Sequence, residues 1–349
     1  MNMKRILETV LGVSACVALG LSVNVALAGE YRPTVAAHRG ASAYLPEHTL
    51  EAKAYAYALG VDFIEQDVVM TKDGRLVVMH DVIVDTTTDV AEKFPGRARE
   101  DGRYYACDFT FDELRSLRLT ERFNPKTKQP IFADRFPDSP IDYKIPSLEE
   151  EFYQIVGLNK STGRNVKAYV EVKEPYFFLD QGLDVLKATV DMMTDFGFNT
   201  PDSGVILQIF DYEAVVRART ELGWKGDLAM LVTAGGQGQK DDKARHAWLQ
   251  TDEGMKDVSQ YANIYAPSLA LIAVPTEDGS SYTVSALPEL CRKYGMDLHI
   301  WTLRKDSLYK GFKSFDEMLD LCFKTVKVDA VFSDFPDLVI GYLKANGLR

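Results

Sequence analysis

Short runs rich in β-branched and apolar residues alternate with segments of helical spacing along most of the chain. The β-rich runs are Thr34–His38, Phe63–Val69, Tyr169–Lys173, Val205–Phe210, Leu228–Val232, Ile264–Ser268, Leu298–Leu303 and Ala330–Asp334. Helical patterns occupy His48–Leu59, Ser147–Gly157, Asp180–Phe196, Tyr212–Leu222, Gly254–Tyr261, Val284–Tyr294, Ser314–Val326 and Pro336–Ala345. Eight strands that alternate with helices are typical of a closed parallel barrel. The pattern therefore predicts an α/β fold, a (β/α)8 barrel of the TIM type.

Two segments interrupt this alternation. Val68–Met79 is apolar on both sides of Asp73-Gly74, which predicts a β-hairpin because Gly74 tolerates the positive φ of a tight turn. Residues 82–145 then lack the barrel rhythm, apart from a short helical pattern at Phe111–Leu117 with Thr110 as its N-cap. We interpret residues 82–145 as an insertion after the second strand. Insertions of this kind lie over the C-terminal face of a barrel, where active sites form.

The N-terminus resembles an export signal. Lys4 and Arg5 precede an uncharged, mostly apolar run from Val10 to Leu27, and Ala26–Ala28 fits the small-x-small cleavage pattern. We therefore predict a signal peptide at residues 1–28 and a single barrel domain at residues 29–349, with Gly29 as its first residue. No second long apolar stretch follows, so the sequence predicts no stable membrane span.

A competing interpretation concerns the cysteines. Val13–Cys16 resembles a bacterial lipobox, which would leave a lipid anchor on Cys16. We favour cleavage after residue 28, because a long apolar segment follows Cys16. The remaining cysteines, Cys107, Cys291 and Cys322, are too few for a disulfide scaffold, and the sequence leaves open whether any two of them pair.

Composition and net charge limit the classes of molecule that the protein can bind. The 349 residues are 46% hydrophobic and 26% charged, which is typical of a globular protein with a sizeable core. The formal net charge of −11 argues against a nucleic-acid partner, because binding phosphate backbones requires clustered Lys and Arg. The sequence leaves open whether the chain forms a homodimer.

Carboxylates recur on two predicted strands. Glu65 and Asp67 are two apart, so both side chains point to one face, and Glu171 and Lys173 repeat this spacing on the next barrel strand. Carboxylates confined together repel unless a cation neutralises them. Oxygen ligands favour Ca²⁺ or Mg²⁺ over zinc, so we predict a divalent metal held by Glu65, Asp67 and Glu171. Lys173 either binds a phosphate oxygen or pairs with Glu171, and an isolated Glu-x-Asp pair is also common without a metal.

Two of the five histidines stand at predicted strand ends. His38 closes the first strand and His80 closes the hairpin, which predicts a general acid/base pair at one barrel mouth. Arg39 adds a fork-shaped donor suited to phosphate oxygens, and Gly40 permits a close backbone approach. A single histidine in such a position is more often structural, so the prediction depends on the pair.

The order of these residues resembles a known family. His38–Thr49, Glu65–Val68 and Val77–Asp81 together are similar to the signature of the glycerophosphodiester phosphodiesterase family. The likeness continues through Phe94–Arg97, Asp101–Tyr105 and Ser333–Pro336, segments that resemble the bacterial periplasmic type. The family's usual Asn in Pro-Glu-Asn-Thr is His48 here. We interpret His48 as the start of the following helix rather than as a third catalytic histidine.

The resemblance implies a specific activity and a role for each residue. It implies hydrolysis of glycerophosphodiesters such as glycerophosphocholine and glycerophosphoethanolamine to sn-glycerol 3-phosphate and an alcohol, in the periplasm. The implied metal is Ca²⁺, with Mg²⁺ as the alternative. The implied site residues are His38 and His80 for acid/base catalysis, Glu65, Asp67 and Glu171 for the metal, and Arg39, Lys173, Gln208, Phe210 and Trp301 for the substrate. For Gln208, Phe210 and Trp301, packing in the barrel core is an equally good explanation.

Within the glycerophosphodiester interpretation, we assign His38 as the base and His80 as the acid, and the sequence leaves that order open.

Two alternatives to this interpretation remain. A phospholipase related to this family would carry a similar set of histidines and carboxylates. The other alternative is a surface-anchored lipoprotein of the same fold with a binding role. The lipobox-like segment Val13–Cys16 supports it.

Overall fold

The predicted strands form and pair side by side. The computed structural model describes residues 31–236 and 242–349. Its strands are β1 Thr34–Ala37, β2 Phe63–Met70, β3 Leu76–Val78, β4 Lys167–Val172, β5 Ile206–Ile209, β6 Asp227–Val232, β7 Ile264–Pro267, β8 Ala273–Pro275, β9 Tyr282–Val284, β10 Asp297–Leu303 and β11 Ala330–Ser333. The barrel strands are almost wholly buried, which is why they read as near-continuous apolar runs.

Eight parallel strands close into a barrel. The hydrogen-bonded order is β1-β11-β10-β7-β6-β5-β4-β2, and β2 returns to pair with β1 through Phe63 and Ile64. The remaining member of this sheet, β3, pairs antiparallel with the end of β2, Val68 opposite Val78, and so forms the predicted hairpin. The predicted (β/α)8 fold with an insertion after its second strand is confirmed.

Helices follow the strands and cover the barrel. They are α1 Leu50–Leu59, α2 Val90–Lys93, α3 Phe111–Ser116, α4 Leu148–Thr162, α5 Pro175–Asp180, α6 Val185–Asp195, α7 Tyr212–Thr220, α8 Asp242–Trp248, α9 Asp252–Val258, α10 Leu269–Ile272, α11 Leu287–Lys293, α12 Phe315–Asp320 and α13 Pro336–Ala345. A 3-10 turn at Ala106–Asp108 and a π-helical turn at Leu321–Val326 complete them. Reciprocal capping boxes start two of these helices, Thr110 with Glu113 before α3 and Ser147 with Glu150 before α4.

Several predicted helix bounds were wrong for local reasons. The predicted helix Asp180–Phe196 starts too early. Helix α5 ends at Asp180, Gly182 has a φ of 76° that no helix interior adopts, and α6 begins only at Val185. Helix α4 continues past Gly157 until Gly163 caps it with a left-handed conformation. Val284 belongs to the β8–β9 hairpin, which periodicity did not reveal, and α11 starts only at Leu287.

Two layers of apolar side chains fill the structure. The larger lies between the barrel and its helices. The smaller occupies the barrel interior and includes Ala36, Tyr169, Ile206, Ala229, Ile264 and Phe332. Cys107, Cys291 and Cys322 are buried free thiols. Among the described residues, no helix is both long and apolar enough to cross a membrane. The signal peptide and Cys16 predictions fall on residues outside those described.

Candidate active site

The three predicted metal carboxylates meet at one end of the barrel. Parallel pairing sets Asp67 on β2 beside Glu171 on β4, and Glu171 beside Gln208 on β5. Glu65 lies two residues before Asp67 and shares its face. One oxygen from each of Glu65, Asp67 and Glu171 lies within 4.8 Å of the others, and all three residues are buried. The strand register therefore gathers these carboxylates into one cluster.

Crowding of these carboxylates perturbs their ionisation. Burial and the nearby charges of Asp67 and Glu171 raise the pKa of Glu65, and burial raises the pKa of Glu171 to about 8. Burial opposes ionisation of Asp67 as well, but Lys173, His80 and His48 outweigh it and lower its pKa. Buried carboxylates in this arrangement are stabilised by a cation. Asp67 Oδ1 has no hydrogen-bond partner among the described residues, so the donor set fits a hard divalent ion.

Each predicted catalytic histidine is held by a carboxylate. His38 Nδ1 lies 2.6 Å from Asp334 Oδ1, and His80 Nδ1 lies 2.5 Å from Asp81 Oδ1. The pKa values of Asp81 and Asp334 are lowered despite burial, with the bound histidines among the causes, so both carboxylates are ionised and accept these hydrogen bonds. The proton of each neutral ring therefore resides on Nδ1, which leaves Nε2 available to a substrate.

Both histidines are neutral near physiological pH. Burial, reinforced by Arg39, lowers the pKa of His38 to about 4, although Asp334 opposes this. Burial, Arg39 and Lys173 lower the pKa of His80 to about 3. A neutral imidazole can accept a proton at Nε2, and the carboxylate on Nδ1 then stabilises the imidazolium that forms. The arrangement is suited to proton transfer at two points of one cavity.

Arg39 is anchored at two points and leaves one donor unpaired. Its backbone N–H donates to Glu65 Oε2 at 2.6 Å, and its Nη1 contacts both oxygens of Glu47 at 3.1 Å. Its Nε lies 3.7 Å from Asp67 Oδ2 and has no hydrogen-bond partner among the described residues. A buried guanidinium N–H without a partner is a ready donor for an anionic oxygen.

His48 is part of the site, which the sequence interpretation did not foresee. Helix α1 starts at Leu50 with Thr49 as its N-cap, so His48 precedes the helix and has a positive φ of 63°. Its Nε2 donates to Asp67 Oδ2 at 2.7 Å, and Lys53 Nζ donates to its Nδ1 at 3.2 Å. Lys53 also donates to the carbonyl of Glu65 and pairs with buried Glu151 at 3.2 Å. Behind the carboxylates therefore lies a second, wholly buried polar layer.

One cavity unites most of the predicted site. Of the ten predicted site residues, eight line it: His38, Arg39, Glu65, His80, Glu171, Gln208, Phe210 and Trp301. The other two lie directly against these: Asp67 in the carboxylate cluster, and Lys173 paired with Glu171. Phe210 and Trp301 meet edge to face at 5.4 Å, and the Trp301 indole donates to the carbonyl of Ala266. Leu231, Thr302, Arg304 and Phe332 also line the cavity and were not predicted.

Comparison with known proteins shows the family of this chain. The model of the glycerophosphoryl diester phosphodiesterase family matches residues 38–338. The chain belongs to this family. It is 38% identical over 327 residues to the glycerophosphodiester phosphodiesterase of Haemophilus influenzae, covering 89% of each chain. It is 31% identical to that of Treponema pallidum, covering 88% of this chain and 91% of the relative. The predicted family and enzyme class are confirmed.

Solved structures share the fold. A structure from Silicibacter pomeroyi superposes with a TM-score of 0.67 at 18% identity, over 91% of this chain and 97% of the other. A phosphodiesterase from Oleispira antarctica, in complex with the product sn-glycerol-3-phosphate, superposes with a TM-score of 0.60 at 19% identity. This second match covers 90% of this chain and 98% of the other. At these identities the likeness supports the barrel.

In this phosphodiesterase, sequence reasoning missed the partners of the histidines. Asp81 directly follows His80, and Asp334 directly follows the last barrel strand, β11. A polar residue at the C-terminal end of a barrel strand is itself a signal of a functional site, so Asp334 could have been predicted. Asp81 could have been predicted from its place next to His80. Gly40 does permit a close approach, but to helix α1: a Cβ there would lie 2.9 Å from the Ala52 carbonyl carbon.

The buried Lys53–Glu151 pair generates a stability prediction. We expect Lys53→Met to lower the free energy of unfolding by about 3–5 kcal/mol, because it leaves a buried carboxylate unpaired. The matched control is Lys187→Met, whose pair with Asp191 is more than half exposed, so its removal should change stability little. Urea denaturation of both variants measures the difference.

The same variant has a defined pH dependence. Burial raises the pKa of Glu151 to about 7, with Lys53 opposing the shift, so removal of Lys53 raises it further. The folded carboxyl then keeps its proton where the unfolded one has lost it, and stability falls as pH rises from the unfolded pKa toward the folded one. The loss in Lys53→Met is therefore larger at pH 8 than at pH 6. A loss equal to that of the control, or one independent of pH, would contradict the pairing.

Proposed function

We propose that this chain hydrolyses glycerophosphodiesters to sn-glycerol 3-phosphate and an alcohol such as choline, ethanolamine or glycerol. The observation that carries the proposal is the convergence of two carboxylate-held histidines and three clustered carboxylates on one cavity. Membership of the family and the glycerol phosphate bound to the Oleispira antarctica phosphodiesterase support the substrate class. The reaction moves one proton to the departing alcohol and one from the attacking hydroxyl.

The metal in this proposal is Ca²⁺, with Mg²⁺ as the alternative. Glu65, Asp67 and Glu171 would hold it, since their oxygens already converge and two of them have raised pKa values without a cation. When bound, a divalent ion neutralises negative charge on the phosphate oxygens. Ca²⁺ accepts flexible carboxylate coordination, whereas Mg²⁺ requires a near-ideal octahedron.

The two histidines differ in exposure, which supports their order of action. The His38 side chain is 9% exposed and that of His80 is 28% exposed. We assign His80 as the acid that protonates the alcohol, because the variable alcohol leaves toward solvent. His38 then accepts the proton of the nucleophile, either water or the neighbouring glycerol hydroxyl. His38 accepts its proton on Nε2. His80 donates as an imidazolium that has first taken a proton from solvent on Nε2, and the ionised Asp81 on its Nδ1 stabilises that form.

The remaining predicted residues bind and shape the substrate in this proposal. The unpaired Nε of Arg39 donates to a phosphate oxygen, and Lys173 has ammonium protons beyond the one used on Glu171. Gln208 Nε2 lies 3.3 Å from Glu65 Oε1, so Gln208 orients a carboxylate of the cluster. Phe210 and Trp301 form an aromatic wall beside these groups.

Metal binding is expected to stabilise the fold. Ca²⁺ at about 100 times its dissociation constant adds about 2.7 kcal/mol and raises the melting temperature, because the ion binds the folded chain only. EDTA reverses the shift and abolishes turnover. Glu171→Gln loses the thermal shift, whereas Glu149→Gln, a half-exposed carboxylate outside the cluster, keeps it. An unchanged melting temperature and unchanged activity after EDTA treatment would refute the metal site.

The histidine roles predict the kinetics on two kinds of substrate. We expect His80→Ala and His38→Ala each to lower kcat for glycerophosphocholine by at least ~100-fold, the lower range for general acid/base groups. Wild-type enzyme should release choline from glycerophosphocholine and leave intact phosphatidylcholine uncleaved. Near-normal turnover by either variant would eliminate the assigned role, and preference for the intact lipid would indicate a phospholipase instead.

We propose further that the chain is exported to the periplasm and cleaved after residue 28. The support is the basic start, apolar run and small-residue cleavage pattern of residues 1–28. Mass determination of the mature protein from bacterial cells should give a free Gly29 as the first residue. A diacylated Cys16 as the first residue would show instead that the chain is a lipid-anchored surface protein.

A further inference from the structure

The two carboxylates that bind the histidines, Asp81 and Asp334, each accept a hydrogen bond from an arginine of the insertion. The oxygen of Asp81 that does not bind His80, Oδ2, accepts from Arg122 Nη1 and, at 3.0 Å, from Thr86 Oγ1. The corresponding oxygen of Asp334, Oδ2, accepts from Arg135 Nη2 at 2.7 Å. Arg122 and Arg135 both belong to residues 82–145. One arginine of the insertion thus stands behind each histidine.

Arg122 also reaches the phosphate-binding side of the site. Its Nε and Nη2 donate to the two oxygens of Glu47 at 3.0 and 2.6 Å, and Glu47 in turn holds Arg39. Burial opposes ionisation of Glu47, but Arg122 and Arg39 lower its pKa well below the usual range, so it is ionised. One guanidinium therefore fixes the supports of both His80 and Arg39.

Arg135 is anchored in the same way on the other side. It forks onto Asp306 at 2.8 and 3.1 Å, and its side chain is 5% exposed. Arg304, from the barrel, adds a bond of 2.7 Å to the same Asp334 oxygen. Asp334 is thus held from both the insertion and the barrel, whereas Arg122 is the one arginine on Asp81 among the described residues. Removal of Arg122 should therefore have the larger effect.

Neither arginine lies among the described residues that line the cavity. Their charges act on the site through a carboxylate whose second oxygen they fix. A carboxylate held at one oxygen can rotate about its terminal torsion, and an imidazole bonded to it follows. Anchoring the second oxygen with a charge-assisted bond fixes the plane of both groups.

We propose that the insertion is a positioning device for catalysis, in which Arg122 orients His80 through Asp81 and Arg135 orients His38 through Asp334. The proposal rests on the acid and base roles given above. Loss of a partner that orients a functional side chain typically costs about 10- to 100-fold in activity. The alternative is that these arginines only attach the insertion to the barrel.

The test compares two leaving groups in three arginine variants. The substrates are glycerophosphocholine and glycerophospho-p-nitrophenol, whose nitrophenolate departs without protonation. Arg122→Gln should lower kcat for glycerophosphocholine about 10- to 100-fold and for the nitrophenyl diester much less, because it misplaces the acid. Arg135→Gln should lower kcat for both substrates alike, by a smaller factor. Arg103→Gln, which breaks an equivalent fork onto Asp85 within the insertion, should change neither.

A second comparison isolates the path through His80. In a His80→Ala background, Arg122→Gln should cause no further loss of kcat. A rise in KM should remain, because Arg122 also holds Glu47 and, through it, the phosphate-binding Arg39. Should a Gln variant fail to fold, Arg122→Lys and Arg135→Lys replace it, because lysine keeps the charge but lacks the fork. These are expected to show the same leaving-group pattern with a smaller loss.

Three results would overturn the proposal. The first is wild-type kcat in Arg122→Gln and Arg135→Gln, and the second is a loss of kcat in these variants that Arg103→Gln shows equally. The third is a loss of kcat from Arg122→Gln that is as large in the His80→Ala background as in the wild type. Failure of the proposed function is distinguishable from these. In that case His80→Ala and His38→Ala themselves turn over normally, and the inference falls with the roles on which it rests. The activity of the histidine variants therefore tests the proposed function, and the activity of the arginine variants tests the inference.

Discussion

Three carboxylates share one buried layer at the end of the barrel, where each ionised group makes the next more costly. Hydrogen-bond donors surround the cluster: Lys173 pairs with Glu171, the backbone N–H of Arg39 donates to Glu65, and His48 donates to Asp67. Even so, the pKa of Glu171 remains raised to about 8, mainly by burial. The residual imbalance of charge is what a divalent ion can relieve. The surrounding polar network exists because of this constraint.

Burial of charge also explains what could be predicted from the sequence. Charged residues at alternate positions of otherwise apolar strands are costly unless used, so Glu65, Asp67, Glu171 and Lys173 stood out. The eight strands were visible for the related reason that they are buried on both faces. The segments missed lack such a signal: the exposed β8–β9 hairpin has little burial to impose periodicity, and Val284 is 44% exposed.

Contacts distant in sequence could not be predicted in the same way. His38 and Asp334 are 296 residues apart, and Arg135 and Asp334 are 199 apart, so no local spacing connects them. Closure of the barrel brings the first strand beside the last, and only this register places Asp334 behind His38. His48 was misjudged because helical composition extends to it, while its positive φ turns the side chain toward Asp67.

The placement of the insertion follows from the same topology. Side chains at the C-terminal ends of the strands project beyond the barrel. Hydrogen-bond partners for their polar ends therefore come from segments outside the strands. Asp81 and Asp334 each present one oxygen to a histidine and one to an arginine, so each carboxylate links the barrel to residues 82–145. An ionised carboxylate in this layer requires a cation on its free oxygen, and the insertion supplies it on both sides. The same electrostatic demand that gathers cations around the metal ligands therefore ties the insertion to the histidines.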